Sequence, residues 1–202
     1  MSDHFFVVTG GPGAGKTSLI AELARRGLHT IPESGRAIIR EEMQSGGEAL
    51  PWADRMAYAQ QMLERDLRAY STAQALSGSV IFDRGIPDIM GYLTHCGLPV
   101  PPHIAAAAKA ARYNARVFLA PYWNEIFAQD AERKQTRAAA EATCAVMRET
   151  YTALGYDIME LPRTDIATRA DFVCGQLARL RRHHVDPTLV PPFIDKTELG
   201  QP

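Results

Sequence analysis

Cysteine is scarce and unpatterned. Cys96, Cys144 and Cys174 stand far apart, are odd in number and form no C-x-x-C pair. That excludes a disulfide framework and a zinc knuckle, and fits reduced thiols in a reducing compartment. An excess of one charge is lacking too. Lys plus Arg is 22 and Asp plus Glu is 23, for a net charge of -1. Nothing in that balance draws in nucleic acid or an anionic membrane. No apolar run nears the ~20 residues of a membrane helix. The front segment MSDHFFVVTGG is too acidic, and its apolar run too short, for a signal peptide. The expectation is a cytoplasmic protein with neither nucleic acid nor membrane as partner. Tryptophan is limited to Trp52 and Trp123, read as packing residues. The histidines His4, His29, His95, His103, His183 and His184 show no metal-ligand spacing.

What is present is an ordinary soluble composition, 46% hydrophobic and 22% charged over 202 residues. That length supports one core without covalent staples. Along the chain, short β-favouring runs alternate with helical periodicity. The runs are Phe5–Val8, Leu28–Ile31, Val80–Phe82, Val117–Leu119 and Tyr156–Leu161. Helical spacing is expected over 19–26, 36–43, 52–76, 86–95, 104–111, 140–154 and from Ile166 onward. In the 52–76 helix, Met56, Ala59, Leu63, Leu67 and Tyr70 form the expected apolar face. Thr164 is the expected N-cap of the last helix. Alternating strands and helices predict an α/β domain with a mainly parallel sheet. It spans 1–181, with a charged segment at about 124–137 and an irregular tail over 182–202.

Chemistry concentrates first at Gly10-Gly11-Pro12-Gly13-Ala14-Gly15-Lys16-Thr17, which fits G-x-x-x-x-G-K-[ST] at every fixed position. Glycines let the backbone curl so that its N–H groups face a phosphate, and remove side chains from the approach. The following helix adds its positive end. Gly11, Pro12, Gly13, Ala14, Gly15, Lys16, Thr17 and Ser18 are therefore the expected nucleotide-binding set. Lys16 reaches the β- and γ-phosphates, and the Thr17 hydroxyl takes Mg²⁺. A dinucleotide fold would need glycine where Lys16 stands, so that reading fails.

A P-loop site needs a carboxylate at a nearby strand end to support Mg²⁺. Asp83 supplies it, giving Thr17 and Asp83 as the expected metal groups. The next residue is Arg84, where water-activating ATPases often carry glutamate. An arginine stays protonated and cannot be that base. It can grip an anionic substrate or the transferring phosphoryl group. The chain has neither an N-K-x-D segment nor glycine three residues after Asp83, which disfavours a GTPase switch. On the acceptor side, Glu33, Arg36, Arg84 and Asp88 are the expected substrate residues, with Glu33 favoured as proton acceptor and Asp88 competing. Asp130, Arg133, Lys134 and Arg137 read either as a lid or as a solvated charged face. The expected catalytic set is Lys16, Asp83, Arg84, Arg133 and Glu33.

With Gly10 to Thr17, Glu33-Ser-Gly-Arg36, Phe82-Asp83-Arg84-Gly85-Ile86-Pro87-Asp88 and Asp130-x-x-Arg133 together, the chain resembles the small AAA-domain-labelled P-loop ATPases of kinase-like build. That group is similar to ribosylnicotinamide kinase domains and, more remotely, to nucleoside and nucleoside-monophosphate kinases. The resemblance covers about residues 4 to 180. It implies a three-layer α/β/α sandwich with a five-stranded sheet in the order 2-3-1-4-5. It implies Mg²⁺-ATP at Lys16 and Thr17 with Asp83 in support, Arg84 near substrate and phosphoryl group, and Arg133 as a lid arginine. The expected function is transfer of the γ-phosphoryl of ATP to a small, nucleoside-like acceptor. The alternative is a nucleotide-dependent binding module with slow ATP or GTP hydrolysis.

Overall fold

The computed structural model describes residues 3–126 and 137–185. Five strands, β1 (Phe5–Gly10), β2 (His29–Ile31), β3 (Val80–Asp83), β4 (Arg116–Ala120) and β5 (Asp157–Glu160), form one sheet. Its order is β2-β3-β1-β4-β5, as expected, and every pairing is parallel. The helices are α1 (Lys16–Arg25), α2 (Ser34–Ser45), α3 (Arg55–Ala73), α4 (Ile86–His95), α5 (Pro102–Ala110), α6 (Arg137–Ala153) and α7 (Ile166–Val185).

The layering follows from the period-2 alternation of β1. Phe5 and Val7 point to one face and join Phe82, Val80 and Val117 beneath α3, α4 and α5. Phe6 and Val8 point to the other and join Ile81 and Phe118 beneath α1 and α7. A strand buried on both faces reads as a continuous apolar run, which is why Phe5–Val8 shows no polar alternation. Register sets the site. Val8 of β1 pairs with Asp83 of β3, and Gly10 with Ala120 of β4. The P-loop therefore leaves the sheet beside Asp83.

Four expectations need correction, the first being that Trp52, expected to pack, is 58% exposed. The buried face of α3 runs through Ala59, Leu63, Tyr70 and Ala73, while Leu67 is 39% exposed. Spacing of four, three, four and three places Asp66, not Leu67, on the inward face. The N-cap of α7 is Asp165, not Thr164: its carboxylate accepts from the Thr168 N–H at 2.9 Å and the Thr168 hydroxyl at 2.7 Å. And α7 runs on to Val185, four residues past the expected loss of pattern. At α3, Asp54 caps in the same manner, accepting from Met56 and Ala57 N–H groups.

Candidate functional site

The loop between β1 and α1 is built on glycine at places no other residue fits. Gly10, Gly13 and Gly15 have φ of 129°, 69° and 74°. A Cβ on Gly10 would lie 2.2 Å from the Ala120 carbonyl oxygen, and one on Gly11 2.4 Å from that of Ala140. The loop is thus pressed between β4 and the first turn of α6. No acidic residue sits in the first turn of α1, so its positive end faces the loop undiminished. The buried Lys16 Nζ donates to the Gly11 carbonyl at 2.6 Å and the Gly10 carbonyl at 3.2 Å. Thr17 and Ser18 are exposed at the helix start.

Asp83 ends β3 at 8% exposure, and its buried Oδ1 has no hydrogen-bond partner. Burial pushes its pKa up; Lys16 pulls it back down. An orphaned buried oxygen is costly, and it stands on the strand next to β1, which leads into the loop. One carboxylate and one hydroxyl with phosphate oxygens and water fit how Mg²⁺ is held. Thr17 and Asp83 are the residues that fit the ion. No cluster of three or more His, Cys, Asp or Glu suited to a metal exists among the described residues.

Arg84 is the only non-glycine residue with positive φ among the described residues, at 73°. That backbone costs about 1–3 kcal/mol and persists only where its surroundings fix it. Its N–H donates to the Val8 carbonyl at 3.0 Å. Its guanidinium is turned into the site, with Nη1 2.8 Å from Asp88 Oδ1 and Nε 3.5 Å from Glu33 Oε1. Burial alone would lower its pKa, but Glu33, Asp88 and Asp83 outweigh it and hold the charge firmly in place.

The two competing carboxylates have different surroundings. Asp88 Oδ1 accepts from the Thr9 hydroxyl at 2.5 Å and from Arg84. Its Oδ2 accepts from the Gly85 N–H at 3.0 Å and the Tyr151 hydroxyl at 2.6 Å. These four donors engage both of its oxygens, and through them Asp88 holds Arg84 and ties α4 to β1 and α6. Glu33 has ion pairs at 3.6 Å to Arg36 and 3.5 Å to Arg84, longer than a good hydrogen bond. Arg137, the first residue of α6, pairs with Glu141 at 3.2 Å. Asp130, Arg133 and Lys134 lie outside the described residues.

Beside the loop opens a cleft of about 270 Å³ between α2, α3, α4 and α6. Its lining includes Pro12 of the loop, the charged Glu33, Arg84 and Asp88, and the apolar or aromatic Tyr58, Met62, Ile89, Tyr92 and Met147. Tyr58 and Tyr92 meet edge-to-face at 5.4 Å. Two residues near the site carried no motif. Asp66 of α3 meets Ser34 and lies near Glu33, Arg84 and Asp88; burial lifts its pKa to about 7. Arg169 of α7 is 2% exposed and donates to the Ala14 carbonyl of the loop at 3.0 Å. Correcting the α3 face would have exposed Asp66; nothing in the sequence marks Arg169.

A P-loop set on this strand order, with a cleft beside it, defines a P-loop NTPase of kinase-like fold. The chain belongs to the AAA-domain family, which it matches over residues 5–169. Among solved structures it is similar to deoxyadenosine kinase from M. mycoides with the products dCMP and a flexible dCDP bound. That match has a TM-score of 0.65 and 15% identity and covers 87% of this chain and 99% of that chain. The same enzyme with bound dATP matches at a TM-score of 0.58 and 14% identity, with the same coverages. At those identities the likeness is one of fold. No curated protein matches the sequence. No described helix is long and apolar enough to cross a membrane.

Proposed function

We propose that this protein is a Mg²⁺-dependent kinase that moves the γ-phosphoryl of ATP to a hydroxyl of a small, nucleoside-like metabolite. The observation that carries the reading is the Glu33–Arg84 pair, 3.5 Å apart, lining a cleft that Pro12 of the P-loop also lines. A hydrolase needs room for water and a base beside Asp83. Here an arginine stands next in sequence, and a small-molecule cleft opens where an acceptor would approach.

In this scheme the loop N–H groups and Lys16 hold the triphosphate. Bound Mg²⁺, taken by Thr17 and supported by Asp83, would offset phosphate charge. The acceptor hydroxyl oxygen bonds to the γ-phosphorus while the bond to the β,γ-bridging oxygen breaks, and ADP leaves. Glu33 receives the hydroxyl proton, and Arg84 stabilises the charge on the transferring group. Asp88 keeps Arg84 aimed. We assign Arg133 and the segment at about 124–137 to a lid that closes over the phosphates. The nucleotide-binding unit is taken as 1–185, with α7 as its last described element.

The test is ATP consumption with Mg²⁺, alone and against a panel of nucleosides, nucleotides and cofactor precursors. An acceptor that raises turnover manyfold, with a phosphorylated product by mass, supports the kinase. Tight ATP binding with hydrolysis indifferent to every acceptor counts against it.

A further inference from the structure

Two arginines stand at the nucleotide loop, and their charges are balanced differently. Arg84 is held by carboxylates, Asp88 at 2.8 Å and Glu33 at 3.5 Å. Arg169 of α7, at 2% exposure, has no such neighbour among the described residues. Burial alone acts on its pKa, downward, with no acid pulling it back. The acids nearest in sequence are engaged elsewhere. Asp165 caps α7 through Thr168, and Asp171 pairs with Arg26 at 2.6 Å. Neither α1 nor α7 carries an acidic residue in its first turn. Buried charges are ordinarily paired, because desolvation without a counter-charge is costly. A cation kept in this state points to a counter-charge that arrives from outside the chain.

The place of Arg169 says which. Its Nη1 donates to the Ala14 carbonyl at 3.0 Å, and Ala14 lies within the loop, between Gly13 and Gly15. The Ala14 carbonyl and the Gly15 N–H are the two ends of one planar trans peptide and point opposite ways. Gly15 is also the N-cap of α1, in the left-handed region at φ 74°. A guanidinium on the carbonyl side leaves that N–H directed to the far face, and polarises the peptide so that the N–H donates more strongly. Arg169 stands behind the loop, so its charge acts through this peptide and not by contact.

We propose that Arg169 is a third cation of the nucleotide site, beside Lys16 and Arg84, left without a counter-charge so that the phosphates of a bound nucleotide supply it. It is a positioning residue for the loop whose charge also matters. A neutral donor on Ala14 would orient the same peptide without gaining from the phosphates. The role rests on the P-loop and is independent of what accepts the phosphoryl group.

The test is binding without turnover. Wild type, Arg169→Met, Arg169→Gln and Arg169→Lys are titrated by calorimetry with Mg²⁺-ATP, Mg²⁺-ADP and Mg²⁺-tripolyphosphate, the last carrying phosphates and no nucleoside. Arg169→Met should weaken all three ligands by about tenfold, the size of a charge-assisted hydrogen bond. Arg169→Gln, which offers Ala14 a donor but no charge, should fall nearly as far, and Arg169→Lys should recover part of the loss. The Tm of the free protein should stay unchanged or rise. Wild-type affinity in Arg169→Gln would leave a bond and no effect of charge. Tripolyphosphate that fails to bind wild type, or a loss confined to ATP and ADP, would move the effect to the nucleoside end. A lowered Tm with affinities unchanged would make Arg169 a packing residue. Each of these overturns the proposal. Binding of no ligand by wild type overturns it together with the nucleotide site, whereas an acceptor panel without product counts against the kinase alone.

Discussion

Arg84 Nη1 lies 2.8 Å from Asp88 Oδ1, and that bond joins the strained turn after β3 to the first turn of α4. The other Asp88 bonds, to Thr9, Gly85 and Tyr151, fix the carboxylate from three further directions. Removing Asp88 leaves a buried guanidinium with only the looser Glu33 contact. Asp88→Ala should therefore cost about 3–5 kcal/mol of stability, the range for breaking one side of a buried pair. Tyr151→Phe keeps the ring, removes one donor and should cost about 1 kcal/mol. Urea unfolding of the two variants checks the ratio. Equal, small losses would mean the network contributes little.

Arg84→Lys tests the role of the fork rather than the charge. Lysine keeps a cation but cannot bridge Glu33 and Asp88 in one plane. If Arg84 acts on the transferring phosphoryl group, kcat should fall roughly 10²–10³-fold, as when an oriented donor at the reacting centre is lost. ATP affinity, set by the P-loop, should stay within about twofold, since the interaction removed forms only in the transition state. Steady-state kinetics with the best acceptor and ATP titration by calorimetry separate the two. A matching loss of ATP affinity would mean Arg84 serves binding instead.

Why the nucleotide half was legible and the acceptor half was not follows from chain locality. The P-loop is eight consecutive residues whose conformation only glycine allows, at Gly10, Gly13 and Gly15. Such a site is written in adjacent letters. The ends of β1 and β3 were equally legible, because both strands are unbroken apolar runs buried on both faces; the sheet order was implied by the family resemblance alone. The bonding of Asp88 was not. It depends on Thr9 and Tyr151 reaching Asp88 from 79 and 63 residues away in sequence. Asp66 was missed through a slip of one position on the α3 face. Arg169 was missed because its partner is the Ala14 backbone carbonyl, 155 residues distant; a backbone acceptor has no residue signature.

Asp66 carries a pH prediction whose sign is definite. Burial raises its pKa from the model-compound 3.8 to about 7, working against its Ser34 hydrogen bond. Between those values the folded chain holds a proton that the unfolded chain has released. Stability from this group is therefore full below about pH 4 and is lost as pH rises through about 7. Asp66→Asn should flatten that slope and stabilise the protein at pH 8 by up to a few kcal/mol. Urea midpoints at pH 5 and pH 8 for both proteins check it. A variant with the same pH slope as wild type would place the dependence elsewhere.

Arg169 makes the sharpest separation of stability from binding. It is a cation at 2% exposure whose Nε has no hydrogen-bond partner, and burial alone lowers its pKa. Among the described residues, no carboxylate forms an ion pair with it. A buried, unpaired charge stabilises a fold little, and an apolar residue of similar volume is often tolerated or better. What Arg169 does hold is the Ala14 carbonyl, at 3.0 Å, and through it the orientation of the loop N–H groups next in line. Arg169→Met should leave Tm nearly unchanged or raised. It should weaken Mg²⁺-ATP binding by about tenfold, the size of one oriented hydrogen bond in a preorganised site. Thermal unfolding without nucleotide and calorimetric titration of Mg²⁺-ATP give the two numbers. A lowered Tm with unchanged ATP affinity would assign Arg169 to the packing of α7 and not to the loop.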